Sequence, residues 1–249
     1  MAGRGICYTQ GLILYIAPSF VGKLLSPLGY LGRYVANSLG QPGLMKKTVL
    51  ITVAALAIFA CVAFAIWVRN VQHVAVRMTA GGRISQLHLS LANYQSLHGT
   101  LPARRSFDPN GNPTFSWVAS VLPLWEKAAV LDQLDTTKPW NAPENVQGVN
   151  LGETFWDWYC SDGWFPCALK GDRSIWKDNG EPRGKLVELP DSVVLVSITV
   201  EDVHPLQPFA VTEAQLKRLL SDGGEALFIN ANRTSGQVRL EEGNLVFGR

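Results

Sequence analysis

The chain has 249 residues, 47% of them hydrophobic and 17% charged, with 22 basic against 20 acidic residues for a formal net charge of +2. A composition this apolar excludes wholesale disorder, and charges this evenly intermixed after residue 69 leave no basic face of the kind nucleic-acid binding needs. With one membrane-type segment set aside, roughly 150 to 180 residues remain, enough for one domain with its own core and too few for two.

Residues 1 to 44 contain Arg4, Lys23 and Arg33, no acidic residue, and short apolar pieces interrupted by Pro18, Pro27 and Pro42. The piece from Leu12 to Val21 is too short to cross a bilayer and carries a proline, which predicts an interfacial or disordered extension. Met45-Lys46-Lys47 has the form of the charged region that opens an export signal, so a translation start at Met45 stands as an alternative to Met1.

Thr48 to Val68 then runs without a charge. As a helix rising roughly 1.5 Å per residue it covers about 30 Å, the hydrocarbon thickness, so residues 45–68 are predicted to span the bilayer. Three readings compete: an uncleaved signal anchor, a signal peptide cut after Ala63-Phe64-Ala65, and a lipoprotein modified at Cys61. The run exceeds the usual signal core of about 7–15 residues, which favours the anchor, and Phe59 suits a lipid-modification site poorly. Arg33, Lys46 and Lys47 on one side balance Arg69, Arg77 and Arg83 on the other. The export-like start, together with the tendency of long domains to translocate regardless of charge, places residues 69–249 outside the cytoplasm as a single-pass protein of a bacterial inner membrane.

Beyond the span, Val71, Val74 and Met78, then Ile84, Leu87, Leu91 and Tyr94, recur at helical steps. Gly81-Gly82 between the two groups predicts a kink or hinge, and Gly99 followed by Pro102 predicts the helix end. Arg104 to Pro113 is a turn-rich loop. Its Asp108, Asn110 and Asn112 alternate like the start of a calcium loop, but Pro113 and Ala119 stand where that loop needs glycine and glutamate, so a plain turn is expected. Ser116 to Leu122 reads as a short apolar element. Leu124 to Leu134 reads as a helix with Pro123 at its start and Leu124, Ala128, Leu131 and Leu134 on its buried side.

Thr136 to Asn145 is a polar loop around Trp140, followed by the aromatic cluster Phe155, Trp156, Trp158, Tyr159, Trp164 and Phe165. Exposed, Trp140 and these rings would stack on a sugar or peptide; buried, they are core. Cys160 and Cys167 flank a run whose Gly163 and Pro166 suggest a turn, and they are candidates for a disulfide, with two buried free thiols as the alternative. Ser174 to Glu188 is a second polar stretch. Ser192 to Val200 is the best strand and is expected at the centre of a sheet. Thr212-Glu213-Ala214-Gln215 has the capping-box form and opens a helix that stops at Gly223-Gly224, after which Ala226–Asn230, Gln237–Leu240 and Leu245–Phe247 read as short strands.

Chemistry is sparse. His73, His88, His98 and His204 are scattered without a metal-ligand spacing, and no nucleophile elbow, phosphate loop, dinucleotide fingerprint or Cys-His pair occurs. Glu201 and Asp202 are adjacent carboxylates after the strong strand, but neighbours in a strand face opposite ways and do not act as a pair. Asn232-Arg233-Thr234 is a sequon, which marks only an exposed turn. No catalytic residue, metal or cofactor is expected.

The run Ile84 to Pro102, with Asn93-Tyr94, His98-Gly99 and Pro102, resembles a signature of the bacterial prepilin-like, pseudopilin-G-related family of unknown function, of the domain-of-unknown-function 1559 type. Phe115 to Glu126, Leu131 to Leu134 and Lys138 to Asn145 are similar to that family's second signature, and Asp202 to Pro208 and Leu219 to Phe228 look like its closing region. The resemblance implies an α+β, pilin-like fold: one long N-terminal transmembrane-plus-stalk helix packed on an antiparallel β-sheet, with additional short helices and no known activity. The family's cleavage motif is replaced by Lys46-Lys47-Thr48-Val49 and no glutamate lies in the apolar segment, so neither peptidase processing nor pilus assembly is implied. The expected function is a non-enzymatic, membrane-anchored protein of envelope structure, secretion or surface interaction, with the bilayer (through residues 48–68) and envelope proteins as partners. The alternative is a carbohydrate- or peptide-binding module built on the Trp156 to Phe165 cluster.

Overall fold

The computed structural model describes residues 44–160, 163–200 and 203–248. The expected N-terminal extension, apart from Leu44, and the carboxylates Glu201 and Asp202 lie outside the described residues.

The chain divides into two compact units, residues 1–70 and 71–249. A single helix, α1, runs from Leu44 to His98. In the first unit residues 52–66 of α1 are exposed, among them Ile58, Phe59, Val62 and Phe64, and the helix is long and apolar enough to cross a membrane. Gly81-Gly82 does not interrupt α1, contrary to the expected hinge, because a glycine pair weakens the helical ladder without removing a hydrogen bond from it. The helix ends as expected: the Gly99 amide donates to the Gln95 carbonyl and Gly99 takes the left-handed conformation at φ 75°.

In the second unit, strands β1 (Arg105–Phe107) and β2 (Pro113–Ser116) form a hairpin. Its tip is tied by Asp108, whose carboxylate accepts from the Asn110 and Asn112 amides and the Asn112 side chain. The Asp-Asn alternation is thus spent on a turn. Short helices follow: α2 (Val118–Val121), α3 (Ala128–Asp132), α4 (Val146–Leu151) and α5 (Glu153–Tyr159).

The main sheet contains β3 (Trp164–Lys170), β4 (Val193–Thr199), β5 (Ala210–Thr212), β6 (Ala226–Asn230), β7 (Ser235–Glu241) and β8 (Asn244–Gly248) in the order β5-β3-β4-β6-β7-β8. It is mixed, not antiparallel throughout as expected, because β5 pairs parallel with β3. β5 does not pair with β4, the strand before it in sequence, but with the far edge of β3; running antiparallel to β4, as β3 does, it lies parallel to β3. β4 lies between β3 and β6 with Val193 to Ile198 buried, as its nearly continuous apolar run, broken only by Ser197, requires of a strand covered on both faces.

Helix α6 (Glu213–Ser221) follows β5 directly, and Thr212 caps it: Thr212 Oγ1 accepts from the Gln215 amide at 3.2 Å while Gln215 Oε1 accepts from the Thr212 amide at 2.9 Å. The C-terminal part of α1 contributes Ala80, Ile84, Leu87 and Leu91 to the same core as the sheet. His88 joins that face; neutral, it donates from Nε2 to the Ala231 carbonyl just past β6, and burial holds its pKa below the usual range.

Candidate functional site: the aromatic cluster around His204

Helix α5 is a short amphipathic helix of about two turns that spends its aromatic residues inward. Phe155, Trp156 and Tyr159 are buried, and Trp158 is half-buried against Trp125 at a centroid distance of 4.9 Å. Trp156 lies directly over Gly152: a Cβ there would come within 2.4 Å of the indole, so glycine is required by space and not by backbone angle. Trp156 Nε1 donates to the Val149 carbonyl at 2.8 Å, which satisfies the indole in the interior.

The strand that follows continues the cluster. Trp164 and Phe165 begin β3, and Tyr159 packs edge-on to Phe165 while its hydroxyl donates to the Pro166 carbonyl. Pro166 sits opposite Ser197 of β4, before the pairing of β3 with β5 begins at Ala168. A residue's N–H and C=O point to the same side of a strand, so the side on which Pro166 has no N–H faces away from β4 and costs the ladder nothing.

Across from these rings runs the segment 203–209. It is tied to the hairpin by the Ser116 amide, which donates to the Leu206 carbonyl at 2.9 Å, and by the Ser116 hydroxyl, which donates to the Pro205 carbonyl. His204 stacks on Trp140 with centroids 4.6 Å apart and 7° between planes, and meets Trp156 edge-on at 5.3 Å. Its Nδ1 accepts the Leu206 amide at 3.1 Å, so the proton of the neutral ring resides on Nε2, which is buried without an acceptor. Desolvation lowers the His204 pKa to about 4. Trp140 itself is positioned by its amide, which donates to the Thr114 carbonyl, and by the buried Asn145, whose side chain bonds Asp135 and Pro139 and closes the 135–145 loop.

Trp156, Tyr159, Trp164 and Phe165 are only 7%, 1%, 3% and 4% exposed. A stacking platform needs open ring faces, and these faces are covered by one another, so the cluster is core, with Trp140 and Trp158 half-buried at its margin. Cys160 and Cys167 are free thiols. Pro166, expected with Gly163 to make a turn, is instead extended in β3, with Cys167 buried in the strand and Cys160 at the end of α5. Burial pushes both thiols up to about 12.

A cavity of about 390 Å³ lies beside the cluster, with Cys160, Trp164, Phe165, Val203 and His204 among its walls. Its chemistry is muted. A thiol titrating near 12 and an imidazole titrating near 4 are both neutral at pH 7, and proton transfer between them is strongly uphill, so they do not form an activated nucleophile and base. Among the described residues no three His, Cys, Asp or Glu side chains converge on a metal position.

Two placements, one at this site and one elsewhere in the core, were not legible in advance. His204 looked like one scattered histidine among four, and only the segment 203–209 brings it onto Trp140. Trp176 lies in a stretch read as polar, yet it is fully buried, stacked near Trp117 and donating to the Pro102 carbonyl; the adjacent Ile175-Trp176 pair was the available signal.

Residues 73–159 match the family model described as protein of unknown function (DUF1559). The match covers the C-terminal part of α1 through α5, about a third of the chain, and includes both longer signatures quoted above but not the closing region. No curated protein and no solved structure matches the chain.

Proposed function

We propose that the protein is a non-enzymatic, membrane-anchored component of the bacterial cell envelope, carrying a pseudopilin-like domain outside the inner membrane and acting in envelope structure, secretion or surface interaction. The observation that carries this reading is the exposed apolar part of α1: residues 52–66 offer Ile58, Phe59, Val62, Phe64 and Ile66 to their surroundings with no charged residue among them. Leaving so many large apolar side chains in water is unfavourable by about 25 cal/mol per Å², and a bilayer removes that cost. The helix-on-sheet build of residues 71–249 agrees with a pilin-like head, and the burial of the aromatic rings removes the main support for a sugar- or peptide-stacking module.

The test is fractionation of the native host with N-terminal sequencing and external protease digestion of spheroplasts. Sedimentation with membranes through alkaline carbonate, an uncleaved apolar segment and digestion of the domain from outside are expected. A soluble product beginning at Ile66, or a domain protected from external protease, would overturn the proposal.

A further inference from the structure

The geometry points to a binding site for one compact oxyanion, of phosphate type, in the basic cavity formed by Arg104, Arg105 and Lys170. This site lies in the second unit and is separate from the aromatic cluster. Its cavity is about 120 Å³ and is completed by Pro208, Phe209 and Ala210. Pockets for nucleotide- or drug-sized ligands run to about 300–1,000 Å³, so the space suits a single small ion or one terminal group of a larger molecule.

Three cationic side chains meet there with hydrogen-bonding capacity left over. Arg104 is 4% exposed; its Nη2 donates to the Asp178 carbonyl at 2.8 Å, but its Nη1 is buried with no acceptor. Arg105 has a buried Nε with no acceptor, and its guanidinium lies 5.0 Å from the Phe107 ring, a contact that leaves its donors unspent. Lys170, at the end of β3, is exposed. Among the described residues no carboxylate stands within 4 Å of any of the three, whereas Arg77, Lys138, Lys177 and Arg183 each have one.

The arrangement is fixed by backbone as well as by side chains. The Arg104 amide donates to the Gly180 carbonyl and its carbonyl accepts the Trp117 amide, so the main chain on both sides of the first guanidinium is held. Gly180 takes φ 94°, a conformation that favours glycine, and lies in van der Waals contact with both arginines. Arg104 and Arg105 repel one another, and the burial of Arg104 together with the charge of Arg105 lowers the Arg104 pKa, an effect that the Asp178 carboxylate offsets only in part. A bound oxyanion removes that repulsion and supplies acceptors in the planar, bidentate geometry that arginine matches best. Arg104 and Arg105 serve as the fork donors and Lys170 as the charge at the mouth.

Isothermal titration of the full chain in non-ionic detergent tests this, with inorganic phosphate and glycerol 3-phosphate as probes and chloride at matched ionic strength as control. Saturable binding of phosphate is expected, lost in Arg105→Gln and at least fivefold weaker in Lys170→Ala, whose exposed position leaves the fold intact. Tighter binding of glycerol 3-phosphate than of phosphate assigns the site to a phosphoryl group carried on a larger molecule; equal or weaker binding assigns it to the free ion. Heats no different from those of chloride, or unchanged affinity in Lys170→Ala and in a folded Arg105→Gln, would overturn the site.

Discussion

His204 shows how one side chain can set an acid limit on the fold. The unfolded chain binds its proton near the ordinary pKa of about 6.5 and the folded chain only near 4. Between those values unfolding takes up a proton, so the contribution of His204 to stability is complete above about pH 6.5 and is lost as the pH falls toward 4. Discounted for partial exposure, the effect is on the order of 1–2 kcal/mol. Charging Nδ1 also costs the Leu206 amide its acceptor, which loosens the 203–209 segment. His204→Asn keeps an acceptor for that amide without a titrating ring. Its urea midpoint is expected to fall less steeply than the wild type's between pH 6.5 and 4.5; parallel slopes would remove His204 from the acid response. His88, also held neutral by burial, contributes with the same sign in both proteins.

At the level of elements, α1 shows which part of a periodic pattern a fold uses. The expected stripe ran through Val71, Val74 and Met78 and on through Ile84, Leu87, Leu91 and Tyr94; the second group packs in or on the core, but Met78 is 73% exposed and Val74 is exposed as well. The buried line is Ala80, Ile84, Leu87 and Leu91, continued toward the N-terminus by Val76. Both groups have helical spacing, and only the position of the sheet decides that the second packs in the core while Val74 and Met78 do not. Leu87→Ala is therefore expected to cost about 2–5 kcal/mol in urea unfolding followed by tryptophan fluorescence, and Met78→Ala less than about 0.5. Equal effects would mean that the face is assigned wrongly. The expected helix from Leu124 to Leu134 failed for a related reason: Glu126 adopts the left-handed conformation at φ 57°, splitting it into a 3-10 turn at Leu122–Trp125 and α3. The split turns Trp125 onto Phe155 and Trp158 and buries Val130, while Ala128 is exposed.

For the whole molecule, the division at Asn70 has an energetic meaning. Among the described residues, every member of the hydrophobic core, and every partly buried residue packed on it, lies at or beyond Val76. A chain beginning at Val71 retains all of these residues, so it is expected to be soluble and to unfold cooperatively, with a near-native far-ultraviolet spectrum. Aggregation or a non-cooperative melt of that truncation would show that the apolar segment contributes to folding as well as to attachment.

Local chemistry by itself determined the apolar helix, the glycine stop at Gly99, the Asp108 turn, the central strand of Val193–Thr199 and the Thr212 capping box, because each rests on residues within a few positions of one another. Tertiary structure decided the rest. The parallel pairing of β5 and the meeting of His204 with Trp140 depend on the side of β3 to which the chain returns after β4, and the burial of the aromatic rings on how Glu153–Tyr159 packs over the start of β3. Arg104 and Arg105 read only as the start of a turn-rich loop, and their charge gained meaning when Lys170 of a distant strand closed the same cavity. Spacing along a chain encodes periodicity and caps, but which surface a residue meets is set by packing among elements far apart in sequence, and no local pattern carries that information.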